Sequence, residues 1–176
     1  MPVNKRQFVV SRRPGRRTQG LVRLGSRMLA CALGRSGPVA IKREGDGGTP
    51  GGRLGLGAVL YRADRLGRPR TKLPVRAIRP GDGWCDEPRD RNYNRRVTLP
   101  YPASAEQLWR EDRLYDVVVV LDYNIRPRAR GIGSAIFLHL ARDGLDPTEG
   151  CVALRLADLL RLLASARPGD ALVVRR

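Results

Sequence analysis

The amino-acid sequence predicts a mainly β domain, either a sandwich or a flattened barrel, with two short helices at its rim. Glycine and proline, 20 and 13 of the 176 residues, separate short apolar segments along the chain, which favours strands joined by turns. The segment YDVVVVL (115–121) carries a continuous β-branched run, which predicts a buried central strand. At 176 residues the chain is long enough for one domain with a sizeable core.

In chain order, residues 1–20 are expected to form a basic N-terminal tail and residues 21–176 a single domain. The segments GLVRLG, RMLACALG, PVAIK and AVLYR predict strands, and ALVV predicts a last strand near the C-terminus. From Asp64 to Asn94 the chain is rich in Pro, Gly, Asp and Arg. This composition predicts a long surface excursion, in which Tyr93 and Asn94 are candidates for a lid over a site.

Two segments predict the rim helices. Ser104 and Gln107 form a capping box in SAEQLWRED, so a short helix is expected there. The segment LRLADLLRLLA repeats its apolar residues at helical spacing. It predicts an amphipathic helix whose apolar face carries Leu156, Leu159, Leu160 and Leu163.

The net charge of +17 is the most unusual bulk property of the sequence. Nucleic acid is the default partner of so basic a protein, and anionic cell-wall polymer or a membrane surface would attract it equally well. Aromatic residues make up only 5% and the basic residues are spread along the chain, so nucleic acid is disfavoured. The alternative is an arginine-rich coding bias that leaves a solvated basic surface. No segment approaches the roughly 20 apolar residues of a membrane-spanning helix.

The three cysteines are Cys31, Cys85 and Cys151, and an odd number leaves at least one thiol free. Their spacing is too wide for a zinc finger or ribbon, so no metal site is predicted. Cys31 and Cys85 are expected to be packing residues. In an oxidising compartment they are also candidates for a disulfide, which leaves Cys151 free.

The segment SAIFLHLA predicts a strand that carries the only histidine of the chain. Because side chains alternate along a strand, His139 shares a face with the small residues Ala135 and Ala141. That face leaves room beside the imidazole.

Cys151 lies in a turn, after Gly150 and before the second predicted helix. A thiol just before a helix start feels the positive end of the helix dipole, which favours the thiolate. The amides of Gly150 and Cys151 are candidates to bind an oxyanion, and His139 is a candidate general base. Glu149 would raise the pKa of the thiol unless it points outward. On spacing alone, a buried thiol beside an unrelated imidazole is the favoured interpretation.

The stretch SAIFLHLARDGLDPTEGCVAL resembles the signature of the YkuD-type L,D-transpeptidase family, in which a strand-end histidine is followed by a loop and by [Ser/Thr]-x-Gly-Cys. Upstream, EGDGGTPGG (44–52) is similar to the family's TPxG turn. The resemblance runs from about Cys31 to the C-terminus and points to a compact bacterial branch. Glu149 and Ala153 stand where many members have His and Arg or Asn.

The resemblance implies a YkuD-like β domain that acts as a cysteine acyltransferase on peptidoglycan stem peptides and forms 3-3 cross-links through a Cys151 thioester. Cys151 would be the nucleophile, His139 its general base and acid, and the Gly150 amide part of the oxyanion hole. No metal or organic cofactor is implied. The residues expected to contact the substrate are Thr148, Glu149, Ser134, Tyr123, Asn124 and Thr49. For Asn124 a turn role is equally open.

Two other functions compete with this one. The first keeps the fold and the thiol but hydrolyses the same peptides, as an L,D-carboxypeptidase or amidase. The second is a basic protein that binds nucleic acid or anionic glycan and leaves the thiol idle. The resemblance implies a location in the cell envelope or periplasm. Arg23 and Arg27 interrupt the apolar segment that an export signal needs, so a cytoplasmic location stays open.

Overall fold

The computed structural model describes residues 5–176. Over these residues it contains fourteen strands, one α-helix, α1 (Leu156–Ser165), and one 3-10 turn (Arg113–Tyr115). The strands are β1 (Gln7–Arg12), β2 (Gln19–Leu24), β3 (Arg27–Ala32), β4 (Pro38–Val39), β5 (Thr49–Pro50), β6 (Gly52–Tyr61), β7 (Val75–Ala77), β8 (Asp82–Cys85), β9 (Arg95–Thr98), β10 (Ala105–Gln107), β11 (Val117–Leu121), β12 (Phe137–Leu140), β13 (Val152–Leu154) and β14 (Ala171–Val174).

A nine-stranded sheet in the order β11-β12-β13-β3-β2-β1-β14-β6-β7 forms the body of the protein. The long strand β6 also pairs with β11, so the sheet returns on itself and is barrel-like. The mainly β prediction is therefore confirmed. The β-branched run of β11 is buried as predicted, between β12 on one side and β6 on the other.

The N-terminal segment differs from the predicted basic tail. Strand β1 lies inside the sheet, parallel to β14 and antiparallel to β2. Its alternate residues Phe8 and Val10 are buried in the apolar core, and this period-2 pattern is what a strand with one buried face requires. The predicted boundary at residue 20 therefore does not coincide with a structural boundary. Residues 1–4 lie outside the described residues.

The helix α1 closes the apolar core with Leu159, Leu162 and Leu163. The predicted apolar face was close to this one but included Leu156, which is 43% exposed in the first helical turn. The buried stripe continues from Leu163 to Ala166, the residue that follows the helix.

The first predicted rim helix is absent, and this prediction was wrong. Residues Ala105–Gln107 form strand β10, which pairs antiparallel with β8, while β9 pairs with the other edge of β8. Backbone partners supplied by β8 outweighed the capping-box pattern around Ser104, because local propensity is a weaker force than sheet pairing in a packed chain. The described part of the chain therefore has one α-helix instead of two.

The predicted excursion from residue 64 to 94 is largely built into the fold. It contains β7 and β8, and it buries Trp84, Tyr93 and Asn94. The ring of Trp84 meets the ring of Phe137 on β12 edge to face, with centroids 5.3 Å apart. The small sheet of β8, β9 and β10 is thereby fixed over the outer face of β12.

The two strands β12 and β13 position the residues of greatest interest. They run parallel, with Leu138 opposite Val152 and His139 opposite Ala153. Leu138 and Val152 belong to the barrel core, whereas Phe137 belongs to a second apolar cluster on the other face. The predicted alternation along this strand, with His139 on the opposite face from Leu138, is therefore observed.

Candidate active site

A cavity of about 470 Å³ lies on the outer face of β12 and β13, and both Cys151 and His139 line it. The small sheet, the 3-10 turn, the segment 42–45 and the loop 146–149 form its walls. The wall residues that bear on its chemistry are Lys42, Glu44, Glu106, Tyr115, Ser134 and Thr148. A volume of this size lies within the range of sites that bind small molecules.

The thiol of Cys151 is buried and hydrogen-bonded to the chain that leads into β12. Its Sγ accepts from the Phe137 amide at 3.3 Å and donates to the Ala135 carbonyl at 3.3 Å. Burial, together with the charge of Glu106, raises the pKa of Cys151 to about 12, although the hydrogen bond from the Phe137 amide and the charge of Lys42 act in the opposite direction. At physiological pH the sulfur is therefore protonated.

The predicted activation of Cys151 by a helix dipole is wrong. Strand β13 follows the cysteine directly, and α1 begins only at Leu156. Because the dipole acts within about one turn of the helix end, it does not reach the sulfur.

The imidazole of His139 is buried and held in one tautomer. Its Nδ1 lies 2.9 Å from the carbonyl oxygen of Leu140. A carbonyl only accepts, so Nδ1 carries the hydrogen and Nε2 has the free lone pair. Burial lowers the pKa of His139 to about 4, so the ring is neutral at physiological pH. The ring of Tyr115 packs edge to face against it at 5.2 Å.

Gly150 has a backbone conformation that a side chain would disturb. Its φ is +135°, and a Cβ on this residue would lie 2.8 Å from the carbonyl oxygen of Gly48. Its amide donates to Thr148 Oγ1 at 3.2 Å, so this amide already has an acceptor within the protein. Among residues 5–176, by contrast, the amide of Cys151 has no hydrogen-bond acceptor.

Two threonine hydroxyls bind the backbone carbonyl of Cys151. Thr148 Oγ1 donates to the Cys151 carbonyl at 2.7 Å, and Thr49 Oγ1 donates to the same oxygen at 3.4 Å. Thr49 is fully buried and also accepts from the Gly34 amide at 2.8 Å. Thr148 lines the cavity and Thr49 does not. The structure therefore places Thr49 behind the nucleophile candidate.

Glu149 points away from the cysteine. Its side chain is 82% exposed and forms an ion pair with Arg35. Among the five causes that act on the pKa of Cys151, its charge is the weakest. The carboxylate of Glu149 therefore hardly opposes ionisation of the Cys151 thiol. This outward orientation is the condition under which the sequence allowed a reactive thiol beside an acidic residue.

The remaining substrate-contact candidates separate into two groups. Ser134 lines the cavity and donates to Glu44 Oε2 at 2.9 Å. Tyr123 and Asn124 do not line it. The Asn124 amide donates to the carbonyls of Ala129 and Gly133, both at 2.9 Å, so it orders the loop between these residues. For Asn124 the turn role is the one observed.

The two lid candidates, Tyr93 and Asn94, do not line the cavity, but each binds a residue that does. The hydroxyl of Tyr93 binds Glu44 and accepts from the Gly133 amide at 3.1 Å. Asn94 Oδ1 accepts from Trp84 Nε1 at 2.9 Å and from the Ala135 amide at 3.1 Å. Asn94 thereby holds the backbone that receives the Cys151 thiol.

Glu106, Tyr115 and Lys42 line the cavity, yet sequence patterns did not single them out. Tyr115 donates its hydroxyl to Glu106, and burial raises the pKa of that carboxyl. Glu106 lies in the segment for which the capping box predicts a helix, so the pattern does not indicate that its side chain faces a cavity. Lys42 precedes the glycine-rich turn, and only its burial distinguishes it from an ordinary surface lysine.

The other two cysteines are separate from the cavity. Cys31 is buried on the core side of β3, and Cys85 is buried at the end of β8. Both thiols are free, which agrees with the packing role that was expected of them.

Comparisons with known proteins give one match. The family model of the L,D-transpeptidase catalytic domain (YkuD) matches residues 3–174. No curated protein and no solved structure matches the chain. No helix among the described residues has the length and apolar character that crossing a membrane requires. The family match covers nearly the whole chain, and the protein therefore belongs to the YkuD family of L,D-transpeptidase catalytic domains.

Proposed function

We propose that the protein is a cysteine acyltransferase that joins peptidoglycan stem peptides in 3-3 cross-links, with Cys151 as nucleophile and His139 as general base and acid. The observation that carries this proposal is that Cys151 and the neutral imidazole of His139 line the same cavity. The Leu140 carbonyl leaves the imidazole Nε2 free to accept a proton. Family membership supports the substrate class.

In the first half-reaction the thiol proton passes to His139 Nε2 while the sulfur attacks the carbonyl before the terminal residue of a donor stem tetrapeptide. The C–N bond then breaks and His139 returns the proton to the leaving amine. A Cys151 thioester and free D-alanine result. The Cys151 amide, which has no acceptor among residues 5–176, is the donor proposed for the oxyanion.

In the second half-reaction the amine of a neighbouring stem attacks the thioester carbonyl and gives a proton to His139. The C–S bond breaks, the sulfur takes up that proton, and a new amide bond joins the stems. Water in place of the amine would complete a hydrolysis instead. The chemistry at Cys151 and His139 is the same in both cases, so acceptor choice alone separates transfer from hydrolysis.

Intact-mass measurement after incubation with a carbapenem or with a disaccharide tetrapeptide tests the nucleophile. We expect a covalent adduct on the wild type and on Cys85→Ser, which changes a thiol outside the cavity, and none on Cys151→Ser. His139→Ala should slow adduct formation strongly at neutral pH. A cross-linked dimer in the tetrapeptide reaction indicates transfer, and a tripeptide product indicates hydrolysis. If the wild type forms no adduct but binds DNA in a salt-sensitive manner, and Cys151→Ser binds equally well, the acyltransferase proposal fails.

The net charge of +17 supports association of this enzyme with anionic polymer in the cell envelope. Binding to purified cell walls should weaken steeply with salt and should not depend on Cys151. Equal binding to walls stripped of their anionic polymer would contradict this part of the proposal.

A further inference from the structure

Lys42 is a buried cation on the wall of the cavity. Its side chain is 3% exposed, whereas Lys5 and Lys72 are exposed at the surface. Its Nζ donates to the Arg43 carbonyl at 2.7 Å and forms an ion pair with Asp46 at 2.6 Å. Burial of an ammonium group costs several kcal/mol before such partners compensate for it.

Asp46 anchors this ammonium to the glycine-rich turn. It also accepts from the backbone amides of Arg43 at 2.7 Å and Gly48 at 2.8 Å. Because one carboxylate binds both the turn and the lysine, the position of the charge is fixed by the backbone.

The lysine lies against the glycine that precedes the cysteine. A Cβ on Gly150 would lie 3.4 Å from Lys42 Cε, and a Cβ on Gly133 would lie 3.0 Å from Lys42 Cγ. Lys42 and Cys151 line the same cavity. The stem of the lysine therefore passes beside the loop that carries the thiol.

The other charges of the cavity do not help the sulfur to ionise. The acids that line it are Glu44, Asp86, Glu106, Asp146 and Glu149, and the other cations that line it are Arg110 and Arg142. Both arginines pair with Asp112, and they act on His139. For Cys151, the charges of Glu106 and Glu149 raise the pKa of the thiol and that of Lys42 lowers it.

We propose that Lys42 is a positioning residue whose buried ammonium, anchored by Asp46, holds a positive charge beside Cys151 and stabilises its thiolate. The use of that thiolate for acyl transfer rests on the proposed function, but its stability does not. The charge matters because the neighbouring carboxylates and the buried environment both favour the protonated sulfur.

The rate of alkylation of Cys151 by iodoacetamide, followed by peptide mass as a function of pH, tests this role. At a fixed pH below the pKa of the thiol, Lys42→Met should react about tenfold more slowly than the wild type, which corresponds to one unit of thiol pKa. Lys72→Met makes the same chemical change at an exposed site and should react like the wild type. Lys42→Arg should restore the rate, and Glu106→Gln should increase it.

Lys42→Gln removes the charge but keeps a donor for Asp46, and it provides the test if Lys42→Met does not fold. Equal alkylation rates for Lys42→Gln and the wild type across the pH range would overturn the inference. Alkylation reports on the thiol alone. A shift with Lys42→Gln in a protein that no peptidoglycan donor acylates would therefore uphold the inference and refute the proposed function. Equal alkylation rates for Lys42→Gln and the wild type, in a protein that a peptidoglycan donor does acylate, would refute the inference and uphold the proposed function.

Discussion

The two faces of β12 and β13 contact different parts of the protein, although the same two short strands form both faces. One face places Leu138 and Val152 in the apolar barrel core, against α1. The other face places Phe137 and His139 beside Cys151, in or next to the cavity. Since alternate side chains of a strand point to opposite faces, the same backbone serves stability on one side and chemistry on the other. Substitutions on the two faces should therefore have separable effects.

The two faces also treat polar groups differently. The core face holds aliphatic side chains, which have no polar atoms that need hydrogen-bond partners. The cavity face buries a thiol and an imidazole, gives each a backbone partner, and keeps both neutral. A neutral thiol and a neutral imidazole avoid the desolvation cost of burying two charges.

The largest effect on stability should come from the core face. Leu138→Ala removes a fully buried side chain and should lower the free energy of unfolding by about 2–5 kcal/mol. Cys151→Ala, on the cavity face, should lower it by about 1 kcal/mol or less and abolish adduct formation. Urea unfolding measures both. Equal losses of stability in the two variants would refute the separation of the faces.

Gly150→Ala should disturb the loop that carries the cysteine. The new methyl group would meet the Gly48 carbonyl at a φ of +135°, so we expect a loss of about 3 kcal/mol. Gly25→Ala is the matched control, since Gly25 also has positive φ but open space around it. It should lose only about 1 kcal/mol. Similar losses in thermal and urea unfolding would mean that the contact with Gly48 is unimportant.

Acidification should destabilise the protein through His139. Burial lowers its pKa from the ordinary 6.5 to about 4. Between these values the unfolded chain takes up a proton that the folded chain refuses, so stability is present above pH 6.5 and lost as the pH falls. The full loss is about 3–4 kcal/mol. Urea unfolding of the wild type and His139→Gln from pH 7 to 4 measures it, and parallel curves would contradict the burial of this ring.

The smallest effect should come from Glu149→Gln. The ion pair with Arg35 is exposed, so its loss should change the free energy of unfolding by less than about 1 kcal/mol. The alkylation rate of Cys151 should rise less than it does in Glu106→Gln, because Glu106 acts more strongly on the thiol. A larger increase in Glu149→Gln would show that this side chain turns inward.

Several features of the fold and the site could be read from particular residues. The β-branched run before residue 122 identified β11, and the alternation around His139 identified the two faces of β12. The wrong predictions concern places where a distant partner decides. Residues 105–107 carry a helix-start pattern but find β8, and the basic N-terminus conceals a strand that finds β14.

The electrostatics of the site were the least predictable part. Glu149 stands two positions before Cys151 in the sequence. Its side chain nevertheless points outward, because it pairs with Arg35, which is 114 positions away along the chain. Glu106 and Lys42 come from two distant segments, and both act on the thiol. Electrostatic influence follows distance in space, and the chain order does not contain that distance.

Local alternation and residue type are enough to predict a mainly β protein, a His139 that faces away from Leu138, and a glycine before Cys151. Closure of the sheet, the strand that follows Cys151 and the burial of a neutral thiol and imidazole depend on tertiary packing. These features, like the field of Lys42, arise only when segments far apart in the chain pack together.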